Sequence, residues 1–147
     1  MSSAKSSKKS RNRKDTSPPE NKCITFAAGG KTFSLELSRV REIVGYIDIT
    51  PVRNAPANVL GVIRAFGQFV SVVDLAGRFG GPVAPMTDDT CILIVQTLRG
   101  GKPAMAGMVV DRVISVDPMN DEIRKRLLDV DSTLADEDLQ IALPRAA

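Results

Sequence analysis

Between Lys22 and Val116 the chain is a succession of short runs in which apolar and polar residues alternate, and most of these runs stop beside a glycine. Alternation with a period of two sends successive side chains to opposite faces of a sheet, and runs this short cannot supply an amphipathic helix. The stretch KCITFAAGGKTFSLEL reads as two strands around Gly29-Gly30. A second hairpin, GVIRAFGQFVSVVDL, has Gly67-Gln68 as its two-residue loop, which suits a type II′ turn and makes Phe66 and Phe69 cross-strand partners. Alternation then groups Val62, Arg64, Phe66, Phe69, Ser71 and Val73 on one mixed face, and Ile63, Ala65, Val70 and Val72 on a uniformly apolar one. The apolar face is the expected core side. The mixed face is expected to look outward, with two aromatic rings near solvent.

Two longer strands, TCILIVQT and KPAMAGMVVDRVISV, flank Arg99-Gly100-Gly101, and the first is apolar enough to be buried on both sides. The connecting pieces are more varied. Ser38 can cap a helical turn, SRVREIV, that Gly45 stops, and Tyr46 to Thr50 alternates as a further strand. PVRNAPANVLG is a turn-rich crossing, and AGRFGGPVAPMTDD (76–89) is a Gly/Pro-rich loop expected to separate two barrels. MNDEIRKRLLDV is helix-like, with Asn120 as N-cap, and LADEDLQIALPRAA is weakly patterned. Many short strands, glycine turns and little helix predict a mainly all-β chain built as small barrels side by side.

Charge is unevenly distributed. Residues 1–22 hold seven basic and two acidic groups, so the net charge of +3 belongs to a Ser- and Lys-rich leader (residues 1–21) with the composition of a disordered tail. Residues 22–147 form the expected folded domain. No apolar segment follows the basic residues as in a secretory signal, and the longest uncharged apolar stretch, Thr90 to Leu98, is too short to span a bilayer. Cys23 and Cys91 lie singly inside strand-like runs, as buried reduced thiols of a cytoplasmic protein do.

The chain contains no histidine, which removes His-based acid–base and triad catalysis and most metal sites. GRFGGP is glycine-rich but runs into Pro82 rather than a phosphate-binding helix. Asp88-Asp89 and Asp136-Glu137-Asp138 read as solvated charge runs, and the DVDST string from Asp129 lacks the hydrophobic strand of a phosphotransfer site. No catalytic residue, cofactor site or metal site is expected, and the chain is not expected to be an enzyme. The alternative to a protein-binding module is a small barrel that holds nucleic acid or anionic membrane through its basic tail. Phe66 and Phe69 lack a surrounding basic stripe, so nucleic acid is not the expected partner.

The pieces VREIVGY, ITPVRNAPANVLGVI, VVDLAGRFG and AGMVVDRVISV, following the ITFAAGGKTFSLEL hairpin in series, resemble the CheW family of chemotaxis coupling proteins over roughly Cys23 to Val116. The resemblance implies two five-stranded SH3-like barrels and a scaffold that bridges chemoreceptor cytoplasmic tips to the regulatory domain of the histidine kinase CheA, with further CheW-like homologues in array rings. It implies a kinase-facing patch at Val40, Glu42 and Gly61 and a receptor-facing segment at Arg64, Phe66 and Phe69. Here the chain departs from the family: GVIRAFG stands for the usual GVINLRG, Ser71 replaces a proline, and Phe66 occupies the place of the receptor-contacting arginine. RLLDVDS also follows the VISV strand too soon, so Arg126 to Val130 is either a shortened closing strand or the sheet is left with an open edge.

Overall fold

The computed structural model describes residues 21–80, 86–99 and 101–134. The expected tail, the middle of the 76–89 loop and the acidic run at Asp136 lie outside the described residues. The chain is mainly β, with two sheets and a few one-turn helices. The first hairpin forms as read, β1 (Lys22–Ala28) against β2 (Lys31–Glu36), with Gly29 and Gly30 at φ +61° and +81° in the turn. A 3-10 turn (Leu37–Arg39) leads into β3 (Val40–Gly45), followed by β4 (Val59–Ala65), β5 (Gln68–Asp74) and the one-turn helix α1 (Leu75–Arg78). Then come β6 (Cys91–Arg99), β7 (Lys102–Val110), β8 (Arg112–Pro118), and the single turns α2 (Asp121–Arg124) and α3 (Val130–Thr133).

The sheets have the orders β2-β1-β8 and β3-β6-β7-β5-β4. All pairs are antiparallel except β5 with β7. The two-barrel plan is present as two sheets around two cores. One sheet has the five strands expected and the other has three. Among the described residues the strand pairing closes neither into a complete barrel.

β6 is buried on both faces, as its unbroken apolar run requires. Leu93 and Val95 join Ile24, Phe26, Leu35, Val73, Met108 and Val110 in a core between the sheets. Ile92 and Ile94 join Ile63, Val70 and Val72 in a second core on the opposite face. Full burial of each such side chain contributes about 1.5–3 kcal/mol.

Several expectations are corrected. Val40–Gly45 is a strand rather than a helical turn, because the β-branched Val40, Ile43 and Val44 pair with β6, and Val40 and Val44 pack on its two cores. Tyr46 to Thr50 is no strand. Only Thr50 bridges Val62, exchanging backbone hydrogen bonds at 2.9 Å in both directions. The 76–89 loop does not separate two barrels, since β5 and β6 on either side of it belong to one sheet. Its first residues form α1 instead.

The chain changes sheets at Leu37–Arg39 and at Asp111. There the run expected as one strand breaks into β7 and β8. Asp111 fixes that corner: its amide donates to the Ala27 carbonyl at 2.8 Å, and its carboxylate accepts from the Gly29 amide at 3.1 Å. Asn120 does cap α2, its Oδ1 accepting from the Ile123 amide at 2.8 Å, but the helix ends after one turn. Arg126 to Val130 forms no strand. Its one backbone link to the sheet is the Leu128 amide donating to Ser34 at 2.9 Å, while Val130 and Leu134 seal the inter-sheet core.

Candidate functional site: a hairpin tip and an edge strand

The β4–β5 hairpin turns one residue earlier than expected, which moves the partner of Phe69 two residues along, from Phe66 to Arg64. Arg64 faces Phe69 and Ala65 faces Gln68, so the loop is Phe66-Gly67 rather than Gly67-Gln68. Both loop residues have positive φ, +53° and +74°, the signature of a type I′ turn. Phe66 is therefore a turn residue and not the cross-strand partner of Phe69. A phenylalanine in left-handed backbone is strained by roughly 1–2 kcal/mol. Nothing apolar compensates by engulfing the ring, since Phe66 is 49% exposed.

The mixed face is outward only at this tip. Val62, Ser71 and Val73 are buried because the five-stranded sheet is covered on both sides. Ile63 and Val72 are buried as expected. Two guanidiniums flank the tip: Arg64 lies over Phe69, 5.2 Å from the ring centroid, and Arg41 lies over Phe66 at 5.5 Å. Arg41 also donates to the Gln96 side chain at 3.1 Å. Arg41 is on β3 and Phe66 follows β4, the two outer strands of the sheet, so the sheet curls until its edges approach. No local sequence signal announces Arg41. Its place at the tip depends on that curl.

β3 carries the other expected residues. A bulge at Arg41 leaves Val40 opposite Val95 and Glu42 opposite Ile94, neighbours on opposite faces of β6. Val40 is thus half-buried against the inter-sheet core, whereas Glu42 is exposed on the other face. Ile43, 44% exposed, and Ile47 add apolar surface. Gly61 lies on the opposite edge strand and is buried. At φ +147°, a β-carbon there would overlap the carbonyl oxygen of Thr50, so the glycine is what lets segment 46–50 close on β4. The structure brings Arg64 and Phe69 together and places Phe66 with Arg41. Strand pairing does not bring Gly61 to Val40 or Glu42.

No group of three or more His, Cys, Asp or Glu among the described residues could hold a metal ion, and no helix among them is long and apolar enough to cross a membrane. Cys23 and Cys91 are free and buried, and burial raises the Cys91 thiol above its ordinary range.

The model of the CheW-like domain matches residues 22–136, most of the chain and all of both sheets. The chain belongs to the CheW family. It is 31% identical over 115 residues to the probable chemotaxis protein CheW of Rhizobium etli, covering 78% of this chain and 72% of that protein. It is 35% identical over 98 residues to the chemotaxis protein CheW of Rhizobium meliloti, covering 67% of this chain and 61% of that one. The fold is similar to the crystal structure of the scaffolding protein TtCheW from Thermoanaerobacter tengcongensis, with a TM-score of 0.62 and 30% identity over 70% of this chain and 68% of that one. A CheW-family chain is a chemotaxis scaffold.

Proposed function

We propose that this chain is a non-catalytic cytoplasmic adaptor that couples chemoreceptors to a CheA-type histidine kinase. The observation that carries the reading is the hairpin tip, where an exposed phenylalanine is held in a defined turn with Arg41 over its ring, beside Phe69 with Arg64 over it, on a two-core body. Scaffolding requires just such pre-ordered anchors, because a side chain already fixed loses little entropy on binding.

The tip of Arg64, Phe66 and Phe69 is the receptor-facing surface. A guanidinium supplies up to five donors and a charge, and a phenyl ring supplies neither. With Phe66 in the arginine's place, the receptor contact becomes an apolar anchor with Arg41 over its ring and the Arg64–Phe69 pair at its side. Burying such an anchor at the centre of an interface stabilises it by about 2 kcal/mol or more.

The kinase-facing surface is the β3 side carrying Val40 and Glu42, with Gly61 acting behind it by seating Thr50. The regulatory domain of the kinase, a barrel of similar kind, docks there with Glu42 as the charged rim. Co-purification tests the reading: the chain is expected to retain both a CheA regulatory domain and a chemoreceptor signalling tip. Retention of neither by the folded protein contradicts it.

A further inference from the structure

β8 is an edge strand. It pairs with β1 on one side, and among the described residues no strand pairs with the other. Its register contains a bulge: Thr25 faces Ser115 and Phe26 faces Val113, which leaves Ile114 as the extra residue. The bulge sets the faces. Val113 and Val116 lie opposite Phe26 and Ile24, both fully buried, and so share the core face. Arg112, Ser115 and Asp117 lie opposite Ala27, Thr25 and Cys23 on the other face, where the Ser115 hydroxyl donates to the Asp117 carboxylate at 2.6 Å.

The apolar layer stops short at this edge. Val116 is 47% exposed although its register partner Ile24 is fully buried, and Ile114 is 43% exposed. An open edge with large apolar side chains is a template for pairing, which folded proteins normally blunt or cover.

With the bulged Ile114 set aside, the order along β8 is cation, valine, serine, valine, anion, so that the strand is complementary to its own reverse: the apolar and serine positions coincide and the charged ends are opposite. Laid antiparallel on a second β8 with Ser115 across from Ser115, Val113 meets Val116 of the other copy on the core face. Arg112 meets Asp117 of the other copy on the outer face. The two-fold axis makes each of these pairs twice.

We propose that the chain self-associates as a two-fold dimer through β8, joining two three-stranded sheets into one of six. The contact closes on itself and adds no further copies, unlike the head-to-tail contacts of a ring. Pro118 lacks an amide hydrogen and ends the strand, so the interface is short and the dimer is of the weak, exchanging kind.

Sedimentation equilibrium of the full chain tests this. A reversible monomer–dimer equilibrium is expected, with R112D and D117R each weakening it by roughly tenfold because like charges then face each other twice. The double swap R112D/D117R restores the dimer, and V116K removes it, all with an unchanged thermal melt. A wild-type chain that stays monomeric up to about 1 mM overturns the proposal. So does a dimer indifferent to the single reversals, or one that the double swap fails to recover.

Discussion

The carboxylate of Asp131 accepts from both terminal nitrogens of the Arg39 guanidinium, at 3.1 and 3.0 Å. It also takes the Thr97 hydroxyl at 2.6 Å and the Leu98 amide at 3.0 Å, while Arg39 donates further to the Gln96 carbonyl at 3.0 Å. Arg39 sits at the turn where the chain passes from one sheet to the other, Thr97 and Leu98 are on β6, and Asp131 is in α3. One carboxylate therefore clasps three distant segments, and with them the plug of Val130 and Leu134.

Removing the charge at Asp131 should loosen this clasp. D131N is expected to lower unfolding stability at pH 7 by about 1–2 kcal/mol, read from urea denaturation. The pH dependence carries the signature. Hydrogen bonds from Arg39 first, then Thr97 and the Leu98 amide, hold the carboxyl well below the usual carboxylate range. A depressed pKa contributes stability above the unfolded value of about 4 and loses it as pH falls through the folded value. The gap between wild type and D131N should thus be full at pH 6–7 and shrink below about pH 4.

Gly61→Ala is expected to cost more than about 3 kcal/mol or prevent folding. Its β-carbon meets backbone at Thr50, which cannot rotate away. A binding defect in a Gly61 variant would therefore report the fold. Glu42, exposed on β3, is the position at which the proposed kinase surface is properly probed.

Phe66 separates stability from binding in the opposite sense. F66N suits the left-handed turn position and should raise or preserve the melting temperature while weakening receptor-tip binding at least tenfold. If the variant instead melts much earlier, the ring contributes to the core and is no anchor.

These positions show how much was legible beforehand. Both hairpins, the doubly buried β6 and the Asn120 cap follow from alternation, apolar continuity and cap chemistry. Strand β3 was not legible, because SRVREIV carries a capping serine and its strand state depends on pairing with a segment some fifty residues later. The turn falls one residue earlier than expected because Gly67 takes the second position of a type I′ turn rather than the first of a type II′ turn, and phenylalanine accepts left-handed backbone before it. The bulges at Arg41 and Ile114 flip faces in ways that strict alternation cannot foresee. The hairpin tip was readable as an exposed aromatic site, but its Arg41 neighbour was not.

Ser71 offers a quieter check. Its hydroxyl is fully buried with no hydrogen-bond partner, so burial costs desolvation that nothing offsets. S71A should be neutral or stabilising by up to about 1 kcal/mol in thermal unfolding.

On the proposed reading one body binds different partners at its hairpin tip and along its β3 edge, two surfaces that adjoin at Arg41. Pull-down of a CheA regulatory domain and a chemoreceptor tip by wild type, F66N and E42K, with folding verified for each, distinguishes the two surfaces. F66N is expected to lose the receptor and keep the kinase domain, and E42K to do the reverse. Folded variants that each lose both partners, or neither, contradict that reading.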